Sequence, residues 1–199
     1  MGRIKSALEI ALERTESVKT DRASVEQYEA KQQGKRLANA YLADSSKSLE
    51  NELKKYPKNQ QESLKQGIFD VLSPQITIPL VREDLPRLEA VGKGLCLLIN
   101  DGPFSGMYKQ LTQLLSQYFD EAAQYGQIIS QQYAPKLRQK EEELSRRMGR
   151  EVRLDPFQDP EFVAFYNKSL GALKENYQVA VDQVREEAAR LWAEKTGDN

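Results

Sequence analysis

The sequence predicts an all-α protein, an elongated helical bundle built on a long antiparallel hairpin of two helices. Apolar residues recur at steps of three or four over most of the chain, which is the period of an amphipathic helix. Charged residues make up 30% of the sequence, as is typical of long helices with solvated faces. Two stretches, about residues 105–148 and 160–195, share an eleven-residue apolar repeat. We expect residues 1–199 to form one elongated helical domain, in which 105–195 is the hairpin.

The N-terminal part of the chain predicts two helices. Residues 1–20 place apolar side chains on one face and charged side chains elsewhere, so they form an amphipathic helix. A break is expected next, because Ser24 and Gln27 match a capping box. A second long helix then runs to Tyr56. Its first part, residues 25–34, is polar almost all round, so it is either an exposed helix or frayed.

The middle of the chain contains the only candidate β structure. A short helix over about residues 59–72 precedes residues 75–78, where apolar and polar residues alternate with a period of two. A similar stretch occurs at 151–154. The two stretches are expected to pair as a tiny two-stranded ribbon across one end of the bundle. The alternative is an extended connector, because Pro79 cannot donate to a strand ladder.

A further helix is predicted over about residues 85–100. It contains Gly92 and Gly94, and each glycine weakens a helix by about 1 kcal/mol relative to alanine. We therefore expect the backbone of a neighbouring helix to approach closely at these two positions.

The long helix of the hairpin is defined by its apolar stripe. Leu111, Ala122, Tyr133 and Leu144 are spaced by eleven residues, and the last helix of the chain repeats the same spacing. Helices that share this repeat pack nearly straight against one another. The connection between them is short, so they should be antiparallel. Because the stripe continues past Pro135, we expect a kink there; the alternative is two helices that meet at this proline.

The composition excludes several kinds of chemistry. The chain has no histidine and one cysteine, Cys96. Catalytic triads with histidine, histidine metal sites and structural zinc sites therefore cannot form. We predict no catalytic, cofactor-binding or metal-binding residues, no cofactor and no enzymatic activity. No small-molecule substrate is evident, and the net charge of −1 gives no reason to expect nucleic acid as a partner.

The sequence also predicts a cytoplasmic location. Its longest apolar run is five residues, too short to cross a membrane. The N-terminus lacks the apolar core of a signal peptide. A single cysteine is consistent with a reducing compartment.

A charge-poor segment of the long helix is the candidate functional surface. Between Lys109 and Lys136 only Asp120 and Glu121 are charged. Few charges and many tyrosines are typical of the centre of a protein interface. The alternative is that other helices of the bundle bury this segment. The possible interface residues are Gln117, Tyr118, Gln124, Tyr125, Gln131 and Tyr133.

A basic cluster follows the charge-poor segment. Mixed charge on a long helix is usually a solvated face, and the cluster shows no aromatic interleaving that would favour nucleic acid. An acidic surface of a partner could contact it. The possible basic contact residues are Arg138, Arg146, Arg147 and Arg150.

Together these patterns predict a non-catalytic structural or interaction protein that acts as a helical scaffold or adaptor and self-associates. Its partner is expected to be another protein, a second copy of the chain, or both. The alternative hypothesis is a protein of the membrane surface that binds lipid through the amphipathic N-terminal helix of residues 1–20.

Overall fold

The computed structural model describes residues 7–44 and 47–197, and the side chains of 24–44 and 47–197. Its helices, in chain order, are α1 (Ala7–Ala43), α2 (Leu49–Lys54), α3 (Lys58–Leu72), α4 (Leu85–Ile99), α5 (Gly102–Met148) and α6 (Pro160–Thr196). Short 3₁₀ turns occur at Ser73–Gln75, Arg82–Asp84 and Pro156–Gln158. Within these ranges there is no strand. The all-α prediction is confirmed.

Helix α1 joins the first predicted helix to most of the second. It runs without interruption from Ala7 to Ala43, so the predicted boundary between a helix over 1–20 and a second helix capped by Ser24 is wrong. Residues 18–27, around the predicted break, contain neither glycine nor proline, and a potential cap does not end a helix whose backbone bonds can continue. The predicted second helix instead stops at Ala43, and its last part forms the separate helix α2.

Helices α1 and α3 touch through their backbones at two glycines. A methyl group added to Gly34 would lie 2.1 Å from the carbonyl oxygen of Leu64, and one added to Gly67 would lie 2.0 Å from that of Lys31. Only glycine permits so close a crossing. Ala30 and Ala38, one turn before and after Gly34, are buried beside it. Residues 25–34 are therefore helical: residues 25–29 form an exposed helix, as one of the two alternatives predicted, and Ala30 and Gly34 pack against α3.

The glycines of α4 accommodate large side chains. The ring of Tyr108 lies against Gly92, 2.1 Å from where a methyl group would be, and the Tyr108 hydroxyl donates to the carbonyl of Leu88 at 3.0 Å. Leu72 of α3 packs against Gly94 in the same way. The predicted close approach of a helix backbone is therefore wrong at both glycines: the space that each leaves is filled by side chains of neighbouring helices.

The end of α6 joins the core formed by the first four helices. Trp192 stacks on Phe69 of α3 with ring centroids 4.8 Å apart. The ammonium of Lys195 donates to the carbonyls of Leu98 and Ile99, the unpaired acceptors at the end of α4. A cation at this position also interacts favourably with the helix dipole. We call this part of the molecule, which comprises α1–α4 with residues 102–118 of α5 and 173–196 of α6, the head.

The predicted β ribbon does not form in the described part of the chain. Ile76 and Ile78 are buried in the head, so their alternation reflects a connector that inserts two side chains into the core. The backbone of 151–154 bonds to side chains of α5 instead: the Val152 amide donates to Ser145 Oγ at 2.8 Å, and the Leu154 amide donates to a carboxylate oxygen of α5 at 2.9 Å. These bonds leave no ladder for a second strand.

Helices α5 and α6 lie side by side and antiparallel. Tyr133 packs against Phe162 and Tyr118 against Tyr177, with ring centroids 5.2 and 5.0 Å apart. Tyr118 precedes Tyr133 by fifteen residues, and Tyr177 follows Phe162 by fifteen residues. The two helices therefore run in opposite directions. Helix α5 has 47 residues and continues through Pro135, so it is about 70 Å long.

The hairpin extends beyond the head as an arm, which comprises residues 119–172. A second, smaller core holds this arm together and contains Ile129, Tyr133 and Phe162. Helix α5 begins slightly earlier than predicted, at Gly102, because the side chain of Asp101 accepts a hydrogen bond from the Phe104 amide at 2.7 Å. This carboxylate is the N-cap of α5.

Replacing Gly67 by alanine should lower the free energy of unfolding by at least about 2 kcal/mol, because the added methyl group meets a backbone oxygen that cannot move aside. Chemical denaturation followed by circular dichroism measures the effect. The matched control is Gly171→Ala in α6, where no described atom lies within 4 Å of the new methyl group. The control should gain about 0.5–1 kcal/mol from its better helix propensity. Equal effects of the two substitutions would contradict the close crossing.

Candidate interaction surface

The structure divides the six predicted interface residues between two faces of α5. Tyr118 is half-buried and packs edge-on against Tyr177 of α6. Tyr133 is buried in the core of the arm. These two tyrosines hold the hairpin together, so their assignment to an outward interface is wrong. Both follow the eleven-residue stripe that defines the buried face of the helix.

The other four predicted residues face solvent. Gln117, Gln124 and Gln131 are exposed and recur every seven residues on the side of α5 that points away from α6. Ile128 lies among them with 46% of its surface exposed. We call Gln117, Gln124, Ile128 and Gln131 the outer stripe. Tyr125, which is 42% exposed, lies on its edge.

The acidic residues beside the outer stripe are engaged within the chain. The Arg82 guanidinium donates to the carboxylate of Asp120 and lies over the ring of Phe119. Glu121 is close to the hydroxyl of Tyr177, and burial together with this carboxylate raises the pKa of Tyr177 to about 12. The outer stripe is therefore bordered by acids whose positions are fixed by neighbouring side chains.

A polar network closes the hairpin near the start of α6. Asp159 is the only charged residue that is buried among the described side chains. Its carboxylate accepts hydrogen bonds from Lys140 Nζ at 2.7 Å and from the Tyr133 hydroxyl at 2.9 Å. It also caps α6 by accepting from the Glu161 amide at 3.1 Å. Lys140, which interrupts the apolar stripe in the sequence, is thus explained by its partner on the other helix.

The charges of this network stabilise one another. The hydrogen bond from Lys140 lowers the pKa of Asp159 and, together with the ion pair to Lys136, that of Glu161. The same acids raise the pKa of Lys140, and burial raises that of Tyr133. At neutral pH the carboxylates are thus ionised, the lysine is charged and the phenol is neutral.

The predicted basic contact is largely neutralised. Arg146 pairs with Glu142 at 3.8 Å and Arg147 with Glu143 at 2.5 Å, one turn away on the same helix. Arg138 and Arg150 have no ion-pair partner within the described residues. Residues 136–161 contain seven basic and seven acidic side chains, so this end of the arm has no net positive charge. It is a mixed, solvated surface.

Two further observations concern metal binding and membrane insertion. In the described ranges no three acidic or cysteine side chains converge as a metal site. No helix in those ranges has an apolar stretch long enough to cross a membrane. The lipid-binding alternative concerns residues 1–20, whose side chains lie outside the described part of the chain.

Replacing Asp159 by asparagine should destabilise the protein in a pH-dependent way. Asparagine can still cap α6, so the change isolates the charge. The folded state lowers the pKa of Asp159, so its carboxylate stabilises the fold above the unfolded pKa of about 3.9 and ceases to do so as the pH falls through the lowered value. The difference in stability between the two proteins should therefore be constant from about pH 7 to 5 and shrink below about pH 4.

Urea unfolding of both proteins over this pH range measures the difference. The control is Asp155→Asn, four residues away. Asp155 is exposed, caps the 3₁₀ turn through the Phe157 amide and has no ion pair in the described part of the chain. Its substitution should give a smaller change, because it removes no ion pair. A pH-independent effect of Asp159→Asn would contradict the charged network.

One comparison with known proteins identifies a relationship. Residues 50–190 match the model of a family of unknown function, DUF6657. The match begins in α2 and ends in α6, so it includes the arm and the outer stripe. No curated protein and no solved structure matches the chain. Because the match covers well over half of the sequence, the chain belongs to the DUF6657 family of unknown function.

Proposed function

We propose that this protein is a non-catalytic helical scaffold or adaptor that self-associates through the outer stripe of α5. The observation that carries the proposal is the exposure of Gln117, Gln124, Ile128 and Gln131, four uncharged residues that form a stripe along one side of α5 with charged side chains only beside it. The rest of the chain has 30% charged residues. If this stripe only had to remain solvated, we would expect it to contain charged residues as well.

The physical properties of the outer stripe favour contact with another protein. An amide side chain can both donate and accept, so it can pair with the same amide on another copy. Covering an amide does not bury a charge in the interface. A buried charge without a partner is costly. Ile128 and the ring of Tyr125 supply apolar surface at the centre and edge of the stripe. Helix-on-helix packing would cover both.

The arm supplies a rigid support for such a surface. Tyr133, Phe162 and the Lys140–Asp159 pair fix α6 along the opposite side of α5. The outer stripe is therefore presented by a helix whose other face is already packed. Preorganisation of this kind lowers the entropy cost of association.

Introducing charge into the outer stripe should weaken self-association. The double variant Gln124→Glu with Ile128→Glu places two carboxylates at the centre of the stripe, so they must be desolvated next to those of the other copy. We expect the wild-type protein to have the mass of a multimer by light scattering. The variant should raise the dissociation constant at least about tenfold, because like charges that meet across an interface cost several kcal/mol.

The matched control is Val179→Glu with Gln183→Glu on α6. It also converts one exposed aliphatic residue and one exposed glutamine, four residues apart, into glutamates. Its mass should equal that of the wild type, and circular dichroism should show the same helicity for all three proteins. A wild-type protein that is monomeric at all concentrations, or equal weakening by both double variants, would refute the proposal.

A further inference from the structure

The charges that border the outer stripe are separated by sign along α5. Asp120 and Glu121 lie toward the head, and Lys136 and Arg138 lie toward the far end of the arm. The stretch between them contains no charged residue. The face is therefore acidic at one end, neutral in the middle and basic at the other end.

Asp120 and Arg138 lie on the same edge of the helix. They are eighteen residues apart, which is about five turns, or about 27 Å along the axis. Both side chains are exposed. Arg82 occupies one carboxylate oxygen of Asp120, Oδ1, and the Asp120 side chain is still 64% accessible. Arg138 has no ion-pair partner among the described residues, so its guanidinium is available for one.

We propose that the occupant of the outer stripe is the same stripe of a second copy, antiparallel and related by a two-fold axis that passes α5 close to Ile128. In this arrangement Asp120 of each copy faces Arg138 of the other. The inference rests on the self-association proposed above and specifies its geometry.

The position of the axis follows from the charges. The level midway between Asp120 and Arg138 is residue 129, and the residue of the outer stripe nearest to it is Ile128. The two isoleucines then meet at the centre, where apolar contact excludes water, and amides lie on either side of them. This order, with apolar residues at the centre and polar residues around them, is usual for protein interfaces.

A parallel arrangement is disfavoured by the same charges. In a parallel pair in register, the two copies of Asp120 would lie at one level along the helices and the two copies of Arg138 at another, so each level would have charges of one sign. Like charges opposite one another oppose association. The antiparallel arrangement replaces both repulsions by attractions, so the charge pattern distinguishes the two directions although the amides do not.

Disulfide trapping tests the direction of the helices. Single cysteines are introduced at Gln117, Gln124 or Ile128 in a full-length chain whose native Cys96 is replaced by alanine. A disulfide requires Cα atoms within about 7 Å. In the antiparallel pair the two copies of residue 128 are about 3 Å apart along the axis, those of 124 about 15 Å and those of 117 about 36 Å. Oxidation should therefore link the Ile128→Cys chains and leave the other two variants unlinked.

The outcomes separate this inference from the proposed function. Disulfide trapping at all three positions would indicate a parallel pair. Trapping at none of them, together with a multimeric mass, would indicate association through another surface. Either result would overturn the antiparallel arrangement but not self-association. A monomeric wild-type mass would overturn both. Circular dichroism of each variant verifies that it is folded.

Charge reversal provides a second test. Asp120→Lys places two lysines opposite Arg138, and Arg138→Glu places two glutamates opposite Asp120, so each variant alone should associate weakly. In an equal mixture, a dimer with one chain of each kind restores both attractions. The mixture should associate about tenfold more tightly than either variant alone, since exposed ion pairs have modest energies. Equal association of the mixture and the single variants would overturn the proposed pairing.

Discussion

The contact between Lys140 and Asp159 sets the relation between the two long helices, and the remaining structure depends on that relation. Asp159 is at once the cap of α6 and the partner of a lysine on α5, so the start of α6 is held beside this turn of α5. From there the helices keep register to Tyr118 and Tyr177. Helix α6 then reaches the head, where Trp192 packs on α3. Because α6 takes this path, one face of α5 is covered and the opposite face points outward.

Apolar spacing was sufficient to predict α5 and α6 because large side chains form their buried faces. It failed for α1, whose buried face beside α3 is formed by Ala30, Gly34 and Ala38 and ends with one large residue, Tyr41. Such small residues give a weak apolar signal, and they stabilise the helix by allowing α3 to approach and not by burying much area of their own. The sequence of α1 also gives no indication that Gly67 lies opposite. A contact between two backbones depends on both helices, so it becomes evident only when they are seen together.

The candidate surface shows what composition and helical phase each contribute. Composition grouped Tyr118 and Tyr133 with the glutamines because all of them lie in the charge-poor segment. Helical phase separates them, since the tyrosines follow the eleven-residue stripe and the glutamines recur every seven residues. A seven-residue spacing drifts by about 20° per heptad, so Gln117, Gln124 and Gln131 remain on one side of the helix. Their exposure could not be read from phase alone, because it depends on which other helices cover that side.

Exposed apolar side chains such as Ile128 are common on protein surfaces and do not by themselves indicate a contact. The unusual property of the outer stripe is that solubility is provided by amides where the rest of the chain uses charges. An amide face is hydrated when it is alone and can be covered without burying an ion. Asp120 and Arg138 lie on one edge of the stripe, about 27 Å apart along α5, and both are exposed to water. The neutral amides would permit a second copy to cover the face in a parallel or an antiparallel direction. The charges beside the stripe favour the antiparallel direction.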